Sequence, residues 1–342
     1  MRTVFFFLAA AAALAQSAPR ILLSRTKEDL RGVSAVSEKI AWASGTHGTY
    51  LRTIDGRTWM PEQVPGAESL DFRGVVAFSA DEAFLMSSGP GEQSRIYHTA
   101  DAGRHWQLQF TNTNPKGFFD SIAFWDRTHG MVLGDPVPDE SGKLKFELLI
   151  TEDGRSWKPV ASGQLPIAIE GEGAFAASNS CVAILKPPDQ SIWFATGGAV
   201  ARVFHSPDRG RTWEVFDTPV VHGADSEGIF SIAFRDALHG VIAGGDYKHP
   251  EEDGPNLAFT VDRGKTWTLS KIFPQSYYSA VAYDRAYGAA EPAAQGTGRK
   301  PDDDQNNARI FLVDPKFAYD FRPPRDPIRI NPPKKAGWEF NA

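Results

Sequence analysis

The densest group of reactive side chains lies between Gly244 and Gly254. There Asp246, His249, Glu251, Glu252 and Asp253 fall within eight residues, beside Tyr247. Carboxylates at such density can hold a hard cation such as Ca²⁺, but the spacing does not follow the EF-hand order. The stretch is read as a solvated acidic loop and no metal is assigned. A second long polar stretch, Gly134 to Gly142, carries Asp135, Asp139 and Glu140. Arg31 and Arg73 offer guanidinium forks that match a carboxylate or phosphate. The other use for them is an ion pair with Glu172 or Asp120. Tyr277 and Tyr278 suit recognition of a ring or peptide, or burial in a core. The candidate ligand-binding residues are therefore Arg31, Arg73, Asp120, Asp135, Glu172, Asp246, Tyr247 and Tyr277, with Glu227 and Tyr278 in comparable positions. No catalytic residue is assigned. No cofactor is assigned either, since no Gly-x-Gly-x-x-Gly follows a strand and no Cys-x-x-Cys occurs.

Bulk composition narrows the classes. Of 342 residues, 42% are apolar and 12% aromatic, too many for a disordered chain. The net charge of −6 argues against a nucleic-acid partner. One cysteine, Cys181, excludes a disulfide framework and reads as a buried apolar side chain.

The elements that must carry these residues repeat. Thr99-Ala-Asp101-Ala-Gly103-Arg-His-Trp106 recurs as Ser206-Pro-Asp208-Arg-Gly210-Arg-Thr212-Trp213 and as Thr260-Val-Asp262-Arg-Gly264-Lys-Thr266-Trp267. Two copies are one residue shorter, Thr53-Ile-Asp55-Gly56-Arg-Thr58-Trp59 and Thr151-Glu-Asp153-Gly154-Arg-Ser156-Trp157. The tryptophans are 47, 51, 56 and 54 residues apart. Each box suits a tight turn. The hydroxyl and carboxylate accept backbone N–H groups, Gly takes a positive φ, and Trp starts the next strand. Five equivalent acids at five turns cannot converge on one substrate, so these aspartates are structural.

A hairpin unit precedes each box. Ser121-Ile-Ala-Phe124 to Gly134 matches Ser231-Ile-Ala-Phe234 to Gly244, and looser copies start at Gly32, Gly74 and Gly173. His129 and His239 fall in the hairpin turns, which suits turn chemistry better than metal ligation. Four strands per unit of about 50 residues predict an all-β chain, a β-propeller of four-stranded blades. In such a ring the loops that enter the innermost strands and the loops joining second to third strands gather at one face, and Arg31, Arg73, Asp120, Glu172, Glu227 and Tyr277 or Tyr278 are expected just before the innermost strands. The candidate residues belong to that face.

The boxes are the hallmark of Asp-box (BNR-repeat) propellers, of the sialidase/sortilin-like superfold. With the upstream units and Trp42-Ala-Ser-Gly45, residues 28–284 resemble the photosystem II stability/assembly factor-like family, as a bacterial exported member. The resemblance implies five clear box-bearing blades here and six or seven in relatives. It implies a binding or scaffold protein, assembly-factor-like, with a protein or peptide partner in the cell envelope. Oligomeric state is left open. The alternative is a sialidase-like glycoside hydrolase. That chemistry needs an arginine triad, an acid and a Tyr–Glu nucleophile pair, which Tyr277 and Glu172 could supply only if the fold joined them. Arg20-Ile21 is followed by Leu22 rather than the Pro of the sialidase signature.

The ends follow other rules. Residues 1–15 combine Arg2, an apolar run and Ala13-Leu14-Ala15, the pattern of a cleaved signal peptide, so the chain is expected to be periplasmic or secreted and not membrane-spanning. The propeller is assigned to 16–287. Residues 288–342 hold eight prolines and no box. Three readings remain for them: closing strands at Phe311-Leu-Val313 and Ile328-Arg-Ile330, a disordered appendage, or a C-terminus out of frame relative to the family.

Overall fold

The computed structural model describes residues 22–271 and 276–283, and the backbone of three further strands between 310 and 330. The segment read as a signal peptide lies outside the described residues. There is no α-helix among those described.

Six antiparallel sheets follow one another along the chain as blades. Blade one is β1 (Leu30–Ala35), β2 (Ala41–Gly45), β3 (Thr49–Thr53) and β4 (Met60–Gln63). Blade two is β5 (Asp71–Ala77), β6 (Ala83–Ser88), β7 (Arg95–Thr99) and β8 (Gln107–Thr111). Blade three is β9 (Phe119–Phe124), β10 (Gly130–Pro138), β11 (Leu144–Thr151) and β12 (Lys158–Pro159). A two-residue strand β13 (Glu172–Gly173) comes next. Blade four is β14 (Val182–Ile184), β15 (Ile192–Ala195), β17 (Arg202–Ser206) and β18 (Glu214–Asp217), with β16 (Gly197–Gly198) between its second and third strands. Blade five is β19 (Glu227–Phe234), β20 (Gly240–Asp246), β21 (Leu257–Thr260) and β22 (Thr268–Leu269), and β13 and β16 extend its inner edge. Blade six is β23 (Ala280–Tyr283), β24 (Ile310–Val313), β25 (Ala318–Phe321) and β26 (Ile328–Ile330). The two tail segments named above are thus paired strands, with Val281 opposite Leu312 and Ala318 opposite Ile330.

Every box joins a third strand to a fourth. In the fourth, Asp208 Oδ1 accepts the N–H groups of Arg211 (3.0 Å) and Thr212 (2.9 Å), and Ser206 Oγ accepts that of Gly210 (2.7 Å). The extra residue of the long boxes takes a left-handed conformation just before the glycine: Ala102 then Gly103, Arg209 then Gly210, Arg263 then Gly264. Gly103 has no substitute, because a Cβ there would run into the Tyr50 ring. The box tryptophan stands one residue before the fourth strand rather than within it.

The cores lie between neighbouring blades. Trp42, Tyr50, Phe72 and Leu85 fill the first interface, and Phe146, Phe194 and Phe204 the third. Three second-strand or hairpin tryptophans also reach across with their indole N–H: Trp42 to Ser79 O (2.9 Å), Trp193 to Arg263 O (2.8 Å) and Trp125 to Ser191 O (3.4 Å).

Blade four departs from the expected register. Its innermost strand is Val182–Ile184, not the run starting at Gly173. Asn179 adopts φ 59°, which breaks the extended path, and residues 174–181 form no strand. The stretch expected as a loop after Gly134 is also shorter, because β10 continues to Pro138 opposite Leu144.

Candidate functional site

Each innermost strand should present alternate residues to its neighbours, but a β-bulge interrupts this near one end. Phe72 pairs with Ser87 and Gly74 with Met86, so Arg73 is the extra residue. Asp120 holds the same place between the Phe119–Gly134 and Ser121–Leu133 pairs. Phe230 does so between Ile229–Gly244 and Ser231–Ala243. In blade one the shift falls across Arg31 and Gly32. A bulge re-aims one side chain out of the alternation. Four blades therefore turn Arg31, Arg73, Asp120 and Phe230 out of alternation at the same end. Arg31, Arg73 and Asp120 lie within the innermost strands rather than ahead of them.

A glycine or serine follows each bulged residue: Gly32, Gly74, Ser121, Ser231. The axis is too crowded for more. A Cβ on Gly74 would sit 2.8 Å from Ile122 Cγ2 and 2.9 Å from Asn179 Oδ1. Part of the crowding comes from the neighbouring innermost strand and part from Asn179 of the irregular 174–181 segment, a strap across the axis. Ala174 N–H donates to Asp135 Oδ1 (3.1 Å) and Ala176 O accepts Arg73 Nη1 (3.2 Å). Ser178 Oγ donates to Ser279 O (2.7 Å), and Ser180 Oγ donates to Ser231 Oγ (2.7 Å). Asn179 Oδ1 accepts Ile122 N–H (2.8 Å) and Ser121 Oγ–H (3.1 Å), while its amide donates to Ile122 O (3.1 Å). The strap bridges the axis, and the candidate face at this end, termed the cup, carries the bulged residues.

One half of the cup is charged. Asp71 takes Arg31 Nε on one oxygen (3.3 Å) and Arg73 Nε on the other (2.9 Å), so two guanidinium groups share one carboxylate. Both arginines remain partly exposed. The partner is thus neither Glu172 nor Asp120. Asp71 precedes Arg73 by two on the same strand, a spacing that could have revealed it. Asp120 is 1% exposed and neither of its carboxyl oxygens has a hydrogen-bond partner among the described residues. Burial, with Asp135 and Glu147 nearby, holds its carboxyl well above the usual range, against the opposing pull of Arg73. Burial raises Asp135 to about 6, offset by the Ala174 N–H. Glu147 is raised by burial and steadied by the Asn112 amide (2.7 Å). Cys181 is fully buried and its thiol is pushed up by burial and the Asp120 charge.

The other half is aromatic. Phe175 from the strap stacks on Phe230 at 3.8 Å and 12°. Tyr277 meets Phe230 edge-on at 4.7 Å, and Tyr247 approaches it at 6.0 Å. Burial raises the Tyr277 hydroxyl far above its usual range. Phe175 and Phe230 were missed in the sequence. For Phe230 the signal was its match, one residue before Ser231, to Asp120 before Ser121.

The remaining candidates are spent elsewhere. The Glu172 carboxylate is fully buried and accepts four donors: Arg202 Nε (2.9 Å) and Nη2 (2.5 Å), Thr196 Oγ (2.7 Å) and Ile169 N–H (2.9 Å). No hydrogen bond joins it to Tyr277. Asp246 caps its own loop, accepting Lys248 N–H (2.8 Å) and His249 Nδ1 (2.7 Å). Glu227 does the same with Ala224 N–H (3.1 Å). Among the described residues no group of three His, Cys, Asp or Glu could hold a metal ion, and no helix is long and apolar enough to cross a membrane.

The structure of a GH74 enzyme from Niastella koreensis matches with TM-score 0.57 at 10% identity, over 85% of this chain and 44% of that one. The chain is a β-propeller. No protein-family model matches it. A curated relative, photosystem II stability/assembly factor HCF136, chloroplastic, of Arabidopsis thaliana, is 36% identical over 66 residues, 18% of this chain and 15% of the relative. The solved structure described as YCF48 bound to D1 peptide matches with TM-score 0.42 at 15% identity, over 88% of this chain and 93% of that one.

Proposed function

We propose that this propeller is an exported, assembly-factor-like binding protein that takes a protein segment or a small anionic ligand in the cup. It would be a bacterial member of the Asp-box photosystem II stability/assembly factor-like family, with its partner in the cell envelope. The observation that carries this reading is the division of the cup. Two partly exposed guanidinium groups share a single carboxylate on one side, and on the other Phe175 and Tyr247 are the partly exposed members of a cluster built on the buried Phe230 and Tyr277. A peptide has both kinds of group to offer, a charged terminus or side chain and an apolar one. The local identity to HCF136 supports the kinship. HCF136 is by its name a photosystem II factor; what this chain helps to assemble is a separate question.

The test is capture from envelope fractions by the immobilised chain, with Arg31→Ala and Tyr247→Ala as controls. The reading predicts a specific partner lost in both variants. Equal capture by all three proteins would count against it.

The glycoside hydrolase alternative has the GH74 likeness of fold in its favour. The Tyr277–Glu172 pair it needs is not assembled, since Glu172 is saturated by Arg202, Thr196 and Ile169. Sugar release from a fluorogenic glycoside panel, lost in Tyr277→Phe, would establish it nonetheless.

A further inference from the structure

The repeat contains its own template for a second site, on the box face, opposite the cup. His98 and His205 occupy equivalent positions, each one residue before a box. Each is paired across strands with a second-strand aromatic, Phe84 for His98 and Trp193 for His205. His98 lies 4.4 Å from the Phe84 ring centroid, and His205 stacks on Trp193 at 4.8 Å. Both histidines sit at the seam with the following blade.

The seam between blades two and three is filled. Glu82 brings a carboxylate oxygen to 3.7 Å from His98 Nε2, and its other oxygen pairs with Arg127, whose guanidinium lies over Phe78. Strand register and hairpin match give the equivalents at the seam between blades four and five. Ser191 stands for Glu82 and Ala237 for Arg127. Both groups of the ion pair are thereby removed. The seam also carries an open cavity of about 470 Å³, on the Glu214 side of His205, lined by His205, Glu214, Leu238, Val261, Arg263 and Lys265, among others.

His205 is 1% exposed, and neither ring nitrogen makes a hydrogen bond among the described residues. Nδ1 has Glu214 at 3.6 Å; Nε2, the atom that faces Glu82 in the template, has no carboxylate. Asp262 also borders the cavity, but its carboxylate is engaged by Thr266 Oγ (2.6 Å), Thr266 N–H (2.9 Å) and Thr260 Oγ (2.7 Å). Arg263 and Lys265 have no ion-pair partner among the described residues. Leu238 and Val261 are half exposed, at 47% and 50%.

We propose that this cavity binds a carboxylate with a short apolar stem, which would do for His205 what Glu82 does for His98, seated against His205 and between Arg263 and Lys265. An acidic side chain of a peptide and a free organic acid share this chemistry. Two charges of each sign already border the cavity, so the incoming anion is balanced when His205 takes up a proton. Burial and Arg263 hold that imidazole below the usual histidine range in the free protein, against the opposing pull of Glu214 and Asp189. Binding is therefore tighter in mild acid.

The experiment follows the imidazole nitrogens of ¹⁵N-labelled full-length protein during titration. Succinate and N-acetyl-glutamyl amide are the two carboxylate arms, and inorganic phosphate is the third. A saturable shift of His205 with at least one carboxylate is expected, stronger at about pH 6 than at about pH 8. Response to succinate alone identifies a free acid as the ligand, and response to the glutamyl amide identifies a peptide side chain. Arg263→Ala/Lys265→Ala removes the two cations that line the cavity and should weaken binding about tenfold or more without lowering the melting temperature. Should that variant fail to fold, Lys265→Glu at an exposed position gives a loss in the same direction by reversing one charge. No His205 shift with either carboxylate, a response to phosphate alone, or undiminished binding in a folded variant would overturn the proposal.

Discussion

At the residue scale, Asp120 and the two seam histidines tie protonation to stability in opposite directions. The folded Asp120 carboxyl holds its proton above the usual carboxylate range because of burial, Asp135 and Glu147. Folding then binds a proton that the unfolded chain has released, and this contribution fades as pH rises through the folded value. Asp120→Asn should raise the melting temperature more at about pH 8 than at about pH 4; an equal effect at both would show that Asp120 is ionised in the fold. His98 and His205 behave inversely. Burial lowers both, so their share of stability is present above the ordinary histidine range and is lost as pH falls below it. His98→Gln/His205→Gln should flatten the acid limb of a melting-temperature profile between about pH 7 and pH 5. Glu172 offers a third test. Glu172→Gln leaves the Arg202 guanidinium buried without its counter-charge, and a loss of about 3–5 kcal/mol is expected in denaturant unfolding. A residue this costly to change is a strut, which is why its sequence position beside the mouth misleads.

At the scale of elements, the boxes were legible because a turn is a local problem. Hydroxyl, carboxylate and glycine act within eight residues, so their types and spacing carry the whole geometry. Asp208→Ala should cost about 1–2 kcal/mol through lost turn hydrogen bonds, with the baseline slope of unfolding unchanged. The strap was not legible. Asn179 bonds to blades two and three across more than fifty positions of chain, and no periodicity reports such a contact. Asn179→Ala removes those bonds and leaves the Ile122 N–H and the Val75 carbonyl short of a partner. A loss of about 2–4 kcal/mol is expected, larger than for any single box aspartate. The bulges fall between these cases. They depend on register between two strands, yet they leave a trace in the residue ahead of each Gly or Ser. That trace groups Arg31, Arg73, Asp120 and Phe230, whereas reading the same residues singly had paired Arg31 and Arg73 with the wrong acids.

At the scale of the whole molecule, a chain with one buried cysteine holds its sheets together by packing and by the strap. The sixth sheet matters to that arrangement. β23 donates its place beside blade five through the Val281 N–H bond to Ser231 Oγ (2.9 Å), and β24 to β26 cover its outer edge. Truncation after Tyr283 leaves that edge unpaired, and the shortened protein should aggregate or melt well below the full chain. The central claim is that the protein partner enters the cup formed by Arg31, Arg73 and the Phe230 cluster, not the box of blade one. The direct measurement places a photoreactive amino acid at Tyr247 in one protein and at Ile54, an exposed box residue, in another. Irradiation in cells should give a discrete protein adduct from position 247 and none from position 54. Adducts from position 54 with none from position 247 would contradict the account.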